Sequence, residues 1–417
     1  MMSKPHVLIV GAGLGGLTLA QVLRKKGVTF EIFERDASEA SRAQGWSLAI
    51  HSVLQDLKEL TPEDLPPLEE SVRALQGLDL NDQLLLYFNH ERIGVPSTTT
   101  FPWIRANRSR LRLWLSHGLD IQWNKTARKI EQAGDKVTVT FQDGSNAVGD
   151  ILVGADGTNS AVREHALGKS NKETLEYLPI STICGETILS GEAFLRQLEV
   201  AHSVALIGVS PMDLWSVMLQ AIVEVLPDQR SAKYYWILAW HNPITLYNGS
   251  SHVDSISAEE RLALARHVTK DLDPKLQHML NHAKPSDLRT GAWVPRDGVV
   301  DSLPVSRVTL LGDAAHPTSP FRGEGGVHAL QDALKLGKLI GAMESSRFDC
   351  VHQAFAAYQD EMVPRGAAMV KSARSQLSLY RNDLLAAGVR VIGHEPVKLP
   401  KETLEFGSDG VCSVPVQ

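Results

Sequence analysis

Three glycines near the N-terminus, Gly11, Gly13 and Gly16, have the GxGxxG spacing of a dinucleotide-binding turn. They lie between residues 6–10, an apolar β-branched run typical of a buried strand, and residues 14–26, whose apolar side chains recur with helical spacing. In that context the first glycine permits a tight turn, the second lets a pyrophosphate approach the backbone, and the third allows the helix to pack closely on the strand. The sequence therefore predicts the opening of a doubly wound α/β domain.

The next strand-like segment, residues 28–33, ends at Glu34. A carboxylate at this place can accept hydrogen bonds from the hydroxyls of an adenosine ribose, and it would repel a ribose 2′-phosphate. The glycine pattern does not distinguish NAD from FAD. By itself it leaves dehydrogenases, amine oxidases and hydroxylases open.

Composition disfavours several other kinds of partner. The 417 residues contain 42 Lys plus Arg against 48 Asp plus Glu, a net charge of −6, so there is no basic excess for nucleic acid or anionic membranes. The three cysteines, Cys184, Cys350 and Cys412, are widely separated, which disfavours a disulfide framework and a zinc site. No apolar run reaches the roughly 18 residues of a transmembrane helix, and the first strand begins too early for a signal peptide. We therefore expect a cytoplasmic protein with no bound metal.

Two later motifs also follow strand-like runs. Residues 151–153 lead into GADGTNSAVR, in which Asp156 and Gly157 form a turn before a helix and Arg163 closes the motif. Residues 308–311 lead into Gly312-Asp313 and then through a Pro- and Gly-rich loop into another helix. An aspartate there is placed to bind a polyol, and the helix N-terminus is placed to face an anion.

These three motifs, in this order and at this spacing, resemble those of the class A FAD-dependent monooxygenases, the para-hydroxybenzoate hydroxylase-like flavoproteins. The resemblance extends from Val7 to about Ser372, and the segments GWSLAIH and FRGEGG are most similar to those of fungal enzymes that tailor secondary metabolites. It implies an α/β fold: a Rossmann-like FAD-binding domain of the GR2 type, with an inserted mixed β-sheet substrate domain and a helical C-terminus.

The resemblance also implies a set of cofactor-binding residues. Glu34 would bind the adenosine ribose, Asp313 would bind the ribityl and pyrophosphate region, and Pro320 with the glycines after it would pass beneath the isoalloxazine ring. The sequence departs from the family where Glu324 and Val327 replace a usual glutamine and asparagine, which puts an extra carboxylate near the flavin. The complete set is Gly11, Gly13, Gly16, Glu34, Arg35, Arg42, Gly45, Arg108, Asp156, Asp313, Pro320, Gly323, Gly325 and Gly326.

The dispersal of the motifs predicts interleaved domains. The FAD-binding domain is expected to comprise residues 1–75, 100–176 and 294–345, and the β-sheet substrate domain residues 76–99 and 177–293. Residues 346–393 are expected to form C-terminal helices, with Pro364 as a kink, and residues 394–417 a polar tail. Residues 136–141 and 147–153 form a hairpin-like pattern, and residues 177–240 show mostly strands and few helix signals.

The activity implied by the resemblance is that of a monooxygenase. FAD would be reduced by NADPH or NADH, react with O₂ to form a flavin C4a-hydroperoxide, and deliver one oxygen atom to an electron-rich aromatic or polyketide- or alkaloid-type molecule. The substrate would be small and hydrophobic, and the protein a monomer or homodimer. The aromatic side chains of the inserted segment are candidates for the substrate wall, although each is more often a core residue: Trp215, Tyr234, Tyr235, Trp236, Trp240 and Trp293.

Other readings stay open. Baeyer–Villiger oxidation or epoxidation would use the same scaffold, because the geometry of substrate and flavin decides which atom receives the oxygen. A flavin-binding redox or interaction protein without turnover is a different class. Halogenation is disfavoured because residues 235–240 do not match the WxWxIP pattern of flavin halogenases. No catalytic acid or base is predicted: His241, His316 and His328 are candidate acid–base groups, but a structural, core or surface position is favoured for each.

Overall fold

The computed structural model of this protein describes residues 4–41, 46–88, 91–209, 216–242, 251–289, 295–319, 323–379, 405–406 and 412–413. The strands are β1 Val7–Val10, β2 Phe30–Phe33, β3 Ser47–Ile50, β4 Gln83–Phe88, β5 Glu91–Pro96, β6 Ile104–Asn107, β7 Ile121–Gln122, β8 Ala127–Ala133, β9 Lys136–Phe141, β10 Asn146–Gly149, β11 Ile151–Gly154, β12 Glu176–Tyr177, β13 Ile180–Ser190, β14 Val204–Gly208, β15 Ser216–Val225, β16 Ser231–His241, β17 Arg296–Asp297, β18 Val308–Leu310, β19 Glu405–Phe406 and β20 Cys412–Ser413. The helices are α1 Leu14–Lys25, α2 Leu54–Leu60, α3 Leu68–Val72, α4 Arg108–Ser116, α5 Ala161–Leu167, α6 Asn171–Thr174, α7 Glu192–Val200, α8 Ala258–Val268, α9 Pro274–His282, α10 Gly325–Gly341 and α11 Phe348–Leu379.

A parallel five-stranded sheet lies at the centre of the fold, in the order β18-β11-β1-β2-β7. Every residue of β1, β11 and β18 is buried, as expected for strands that helices cover on both faces. Helix α10 packs against α1 so closely that a side chain at Gly337 would collide with Val22. The predicted α/β class is confirmed, and the carboxyl ends of β1, β11 and β18, which carry the three motifs, meet at one edge of this sheet.

The expected hairpin over residues 136–153 was wrong in its second half. Strand β10 pairs antiparallel with β9, but β11 leaves this small sheet and pairs in parallel with β1. The two strands are separated by Asp150, whose carboxylate accepts hydrogen bonds from the backbone N–H of His6 and from Lys136 Nζ, each at 2.7 Å. The burial pattern changes at the same point, from alternating in β10 to continuous in β11.

A second large sheet has six strands in the order β13-β16-β15-β14-β4-β5. Only β14 and β4 are parallel neighbours, so the sheet is mixed. Strands β4 and β5 thus join strands more than 80 residues further along the chain, the grouping that the domain prediction makes. The short strands β12 and β17 pair with each other, which brings the two ends of the inserted segment together. The exact domain boundaries stay a prediction.

One face of this mixed sheet is covered by helices α7, α8 and α9, which the sequence analysis did not identify. Phe194 of α7, Met279 of α9 and Trp236 of β16 belong to the same buried cluster. Two start signals were present in the sequence: Ser257 caps α8 and forms a capping box with Glu260, and Asp273 caps α9 just before Pro274. The segment is therefore a sheet with a helical cover.

The C-terminal helix α11 packs behind the central sheet. Tyr358 of α11 donates a hydrogen bond to the carbonyl oxygen of Leu310 in β18 at 3.0 Å. The helix continues through Pro364. Of the predicted tail, only the paired strands β19 and β20 fall within the described residues. Among the helices in the described ranges, none is long and apolar enough to cross a membrane.

Candidate functional site

The glycine turn after β1 shows why each glycine is needed. Gly11 has a φ of +111°, and a Cβ there would lie 2.3 Å from the carbonyl oxygen of Ala155. A Cβ at Gly16 would lie 2.0 Å from the carbonyl oxygen of Gly11, so both positions are fixed by packing. Gly13, the N-cap of α1, is different, because a Cβ there would meet nothing within 4 Å. Open space therefore faces the N–H groups at the start of α1.

Glu34 is buried beside this turn. One carboxylate oxygen accepts a hydrogen bond from the backbone N–H of Ala12 at 2.7 Å, and the other accepts one from Asp36 at 3.1 Å. Its orientation is thus set by the glycine turn itself. Arg35 is exposed. Two other predicted contacts, Arg42 and Gly45, lie outside the described residues.

Asp156, in the second motif, caps a helix. Its carboxylate accepts hydrogen bonds from the Ser160 hydroxyl and from the backbone N–H groups of Ala161 at 2.8 Å and Val162 at 3.3 Å. Burial raises the pKa of the Asp156 carboxyl, and these hydrogen bonds oppose that rise. The side chain therefore shapes the turn into α5, while its backbone N–H lies 2.8 Å from where a Cβ of Gly11 would be.

Asp313 follows β18 in the third motif. Its side chain is exposed to solvent, yet the surrounding protein removes enough solvation to raise the pKa of its carboxyl, against the charges of His316 and Arg108. The two observations agree if Asp313 lies at the bottom of a concave site, open on one side and enclosed on the others. The Thr158 hydroxyl lies 3.5 Å from its carboxylate.

The N-terminus of α10 lies directly beside Asp313. A Cβ at Gly325 would be 3.9 Å from Asp313 Oδ1, and one at Gly326 would be 2.8 Å from Leu48 in β3. Glu324 is the N-cap residue, and its side chain makes no capping hydrogen bond to the helix. Gly323 has a φ of +65°, which favours glycine. Pro320 lies outside the described residues.

Glu324 acts on two nearby imidazoles. Burial lowers the pKa of His51 and of His328, and the negative charge of Glu324 partly offsets that shift at both. The extra carboxylate expected from the sequence thus stands at the N-cap of α10. Two histidines lie within its electrostatic reach: His51, directly after β3, and His328, in the first turn of α10.

Two arginines of α4 approach the site from another side. The charge of Arg108, the residue matched to the family, acts on Asp313. Arg112 was not among the predicted site residues. It is buried and donates from Nε to the carbonyl oxygen of Ala12 and from Nη1 to that of Glu39, both at 3.1 Å. Its Nη2 has no hydrogen-bond partner in the described part of the chain. The i, i+4 spacing of these two arginines was the available signal, because it puts both on one face of the helix.

The face of the mixed sheet opposite helices α7 to α9 is turned toward this site. The ribbon formed by β3 and β6 packs on it through Ala49 and through Trp46 and Trp103, which precede the two strands. Leu48, on the ribbon's other side, reaches Gly326. Side chains on this face are largely apolar and only partly buried near its centre. They include Cys184, Leu206 and Leu219. Burial raises the pKa of the Cys184 thiol to about 11, so the thiol is neutral.

The predicted aromatic wall is only partly on that face. Tyr234 and Trp236 point to the helix-covered face and are core residues, as their type more often is. Tyr235 lies on the open face, stacked on Trp46 with ring centroids 4.5 Å apart, and its hydroxyl accepts a hydrogen bond from Arg105 at 2.6 Å. Trp240 packs against the helix-covered cluster. Trp215 and Trp293 lie outside the described residues.

The three candidate histidines differ in their surroundings. His316 donates or accepts through Nε2 at 2.7 Å from Asp332, and His328 accepts from Arg365 Nη1 at 2.7 Å, so both are held in a polar network of the fold. His241 is half-buried at the end of β16. Among the described residues, no group of His, Cys, Asp and Glu is arranged to hold a metal ion.

The fold combines a parallel sheet, two helices whose N-termini lack side-chain caps, and a mixed sheet that faces those N-termini. This combination defines a dinucleotide-binding flavoprotein fold. The family model described as an FAD binding domain matches residues 4–373, and the chain belongs to that family. The similarity predicted from the three motifs is therefore confirmed.

Individual relatives narrow the activity. The chain is 38% identical to the FAD-dependent monooxygenase thnD of Trichoderma harzianum over 96% of its own length and 98% of the relative's. A solved structure of a putative FAD-containing monooxygenase from Photorhabdus luminescens superposes with a TM-score of 0.72 at 26% identity, covering 92% of this chain and all of that one. HpxO of Klebsiella pneumoniae, solved with FAD and uric acid, shares the fold at 20% identity, with a TM-score of 0.70 over 92% of this chain and 90% of that one. The protein is an FAD-dependent monooxygenase.

Proposed function

We propose that this enzyme uses NADPH or NADH and O₂ to insert one oxygen atom into an electron-rich aromatic or polyketide- or alkaloid-type small molecule. The observation that carries the proposal is the meeting of three chain segments at one place. Gly11 packs on the turn at Asp156, Arg163 binds the backbone at Asp313, and Asp313 lies beside Gly325 at the start of α10. This convergence supports a single cofactor site made from all three motifs.

The residues present fit FAD. The open space at Gly13 and the N–H groups of α1 suit a pyrophosphate, Glu34 suits the adenosine ribose, and Asp313 suits the ribityl hydroxyls. The start of α10, free of side chains at Gly325 and Gly326, suits the flavin ring. We keep the full set as the proposed contacts: Gly11, Gly13, Gly16, Glu34, Arg35, Arg42, Gly45, Arg108, Asp156, Asp313, Pro320, Gly323, Gly325 and Gly326.

FAD, when bound, supplies hydride acceptance from NAD(P)H and activation of O₂. The protein contributes binding, electrostatics and exclusion of water. The N–H groups and dipole at the start of α10 favour negative charge on the bound group, whereas the Glu324 carboxylate opposes it. Burial lowers the pKa of His51 and of His328, so neither of these nearby imidazoles carries the charge that would neutralise the Glu324 carboxylate near pH 7.

The substrate is proposed to lie between the start of α10 and the open face of the mixed sheet. The apolar side chains of Cys184, Leu206 and Leu219 suit a flat hydrophobic molecule, and the stacked pair Trp46 and Tyr235 closes one end of this surface. Such a surface excludes water from the reacting atoms. The occurrence of fungal relatives that are FAD-dependent monooxygenases supports a tailoring role.

The decisive experiment is mass spectrometry of products formed from phenolic, indolic and polyene compounds with NADPH, NADH and ¹⁸O₂. We expect one ¹⁸O atom in a hydroxylated product and faster NAD(P)H oxidation when the substrate is present. A lactone or epoxide would instead identify the alternative oxygenations on this scaffold. Protein that binds FAD stoichiometrically but neither oxidises NAD(P)H nor labels any product would favour the non-turnover alternative.

Cytoplasmic location and a monomeric or homodimeric state also stay proposals.

A further inference from the structure

Asp332, in the second turn of α10, is a fully buried carboxylate that holds the third motif in place. One oxygen accepts hydrogen bonds from the backbone N–H of Gly312 at 2.8 Å and from His316 Nε2 at 2.7 Å. Gly312 has a φ of +58° and immediately precedes Asp313, so the bond from its N–H fixes the turn that presents Asp313. The other oxygen of Asp332 accepts from Arg365.

Arg365 comes from the C-terminal helix α11, outside all three motifs. Its Nε donates to Glu361 at 2.8 Å and its Nη1 donates to His328 Nδ1 at 2.7 Å, in addition to the bond to Asp332. Lys335 forms an ion pair with the same glutamate. Arg365 therefore joins the C-terminal helix to the start of α10 and, through Asp332, to the turn at Asp313.

The electrostatics show why the arginine matters. Burial alone would raise the pKa of the Asp332 carboxyl, but the charges of His316 and Arg365 outweigh burial and hold that pKa below its usual range. Burial would likewise lower the pKa of His316, and Asp332 outweighs it so that the pKa is raised. Without Arg365 a buried carboxylate would lose its principal permanent cation, and an incompletely paired buried charge is strongly unfavourable. The bonds from Gly312 and His316 would then loosen.

We propose that Arg365 is a positioning residue for the flavin: acting through Asp332, it holds the Gly312–Asp313 turn and the His316 ring in the arrangement that accepts FAD. The inference rests on the FAD site proposed above. It assigns to the C-terminal helix a role in cofactor binding that none of the glycine and aspartate motifs carries.

The test is an FAD titration of apoprotein, followed by quenching of flavin fluorescence. Arg365→Ala is expected to raise the FAD Kd about 10- to 100-fold, the range seen when residues that orient metal ligands are removed. The matched control is Lys371→Ala, which removes the same charge from an exposed position on the same helix and should leave the Kd unchanged. An equal Kd for wild type and Arg365→Ala would overturn this inference. Wild-type protein that binds no FAD would overturn the proposed cofactor site as well.

Two further readouts separate positioning from general destabilisation. Millimolar methylguanidinium should restore FAD affinity to Arg365→Ala, because it refills the cation site, but should not restore it to Asp332→Asn. If Arg365→Ala does not fold, Arg365→Lys tests the same point, since it keeps the charge and loses the simultaneous bonds to Asp332, Glu361 and His328. An affinity equal to wild type in Arg365→Lys, or rescue of both variants, would contradict the proposal.

The pH dependence of the FAD Kd gives a third readout. FAD affinity should fall as pH rises through the raised pKa of His316, because the imidazolium is then lost. The groups that face this ring are Asp313 on its own loop, Asp332 and His328 on α10, and Arg365 on α11. Arg365 repels the imidazolium, so its removal should move the pH midpoint upward. An unmoved midpoint would mean that Arg365 does not act on this ring.

Discussion

Arg163 donates a hydrogen bond from Nη1 to the backbone carbonyl oxygen of Asp313 at 3.1 Å, which ties the turn after β11 to the turn after β18. The same nitrogen donates to the backbone carbonyl oxygen of Ala314 at 3.1 Å, and Nη2 donates to that of Thr158. Because Arg163 is 1% exposed, these bonds are shielded from water. The arginine that ends the second motif thus acts on the backbone of the third, so the two motifs form one structural unit.

Replacing Arg163 by Met should therefore separate the two turns. The buried carbonyl oxygens of Thr158, Asp313 and Ala314 would lose their donor, and we expect a loss of about 3 kcal/mol in the free energy of unfolding. Urea denaturation of the apoprotein measures it. Arg196→Met, which breaks only an exposed ion pair, is the control and should change stability by less than about 0.5 kcal/mol. Equal stability of the two variants would show that Arg163 is not needed to join the turns.

The glycines of the first motif should separate folding from cofactor binding. Gly13→Ala is sterically free in the apoprotein, so its free energy of unfolding should stay within about 1 kcal/mol of wild type. Gly11→Ala is strained by its φ of +111° and by the carbonyl of Ala155, and should lose about 3 kcal/mol or more. Gly13→Ala should nevertheless weaken FAD binding at least about tenfold, because its methyl group occupies the space for the pyrophosphate. Urea denaturation of the apoproteins measures the two stabilities, and FAD titration measures the affinity of Gly13→Ala. Normal FAD affinity in Gly13→Ala would refute the assignment of the pyrophosphate to the space at Gly13.

Much of the central fold follows from local sequence. Strand β1, helix α1 and strand β2 lie within two residues of their predicted ends, because an apolar run, helical spacing and the GxGxxG spacing agree there. The convergence of the motifs could be anticipated only from the resemblance, since Gly11 and Asp313 are separated by about three quarters of the chain. The two turns come near each other because β11 lies between β1 and β18 in the parallel sheet, an order that no local pattern specifies.

The network behind the third motif was harder to foresee. In the sequence Asp332 looks like an ordinary polar residue of an amphipathic helix. Arg365 directly follows Pro364 in a helix that has charged residues along its length. Neither has a local signal for this pairing, because the burial of Asp332 and its contact with Arg365 arise from packing α11 against α10. The helices over the mixed sheet were missed for a related reason: α7 and α9 have nine residues each, too few for a strong periodic pattern.

Acid sensitivity should reveal the environment of His328. Burial, with the nearby charge of Arg365, lowers the pKa of this imidazole to about 4, so the folded protein keeps it neutral while the unfolded chain protonates near pH 6.5. The contribution of neutral His328 to the free energy of unfolding is therefore complete above pH 6.5. It is lost as pH falls toward 4, and the loss is on the order of 2 kcal/mol. His328→Gln, which can still accept from Arg365 through its amide oxygen, should lose less stability over this range. Urea denaturation of apoprotein at pH 6.5 and 4.5 gives the comparison, and identical losses in both proteins would contradict the prediction.

A bulky substitution on the open face of the mixed sheet should block the substrate and spare the cofactor. Cys184 lies on this face opposite Ile237, so Cys184→Trp would fill the space proposed for a flat hydrophobic molecule. We expect kcat/KM for the substrate identified by product analysis to fall at least about 100-fold, with one FAD still bound per chain. The control, Ile188→Trp, places the same side chain four residues along the same strand, where the native residue is 58% exposed.

Turnover and FAD content distinguish the outcomes of this pair. Loss of turnover in Cys184→Trp with normal turnover in Ile188→Trp would support a substrate site between the open sheet face at Cys184 and the start of α10. Loss of FAD as well as turnover in Cys184→Trp would mean that the substitution disturbs the fold, which urea denaturation would show independently. Normal kcat/KM in Cys184→Trp would contradict the proposed site, because no flat substrate could occupy that surface beside a buried indole ring.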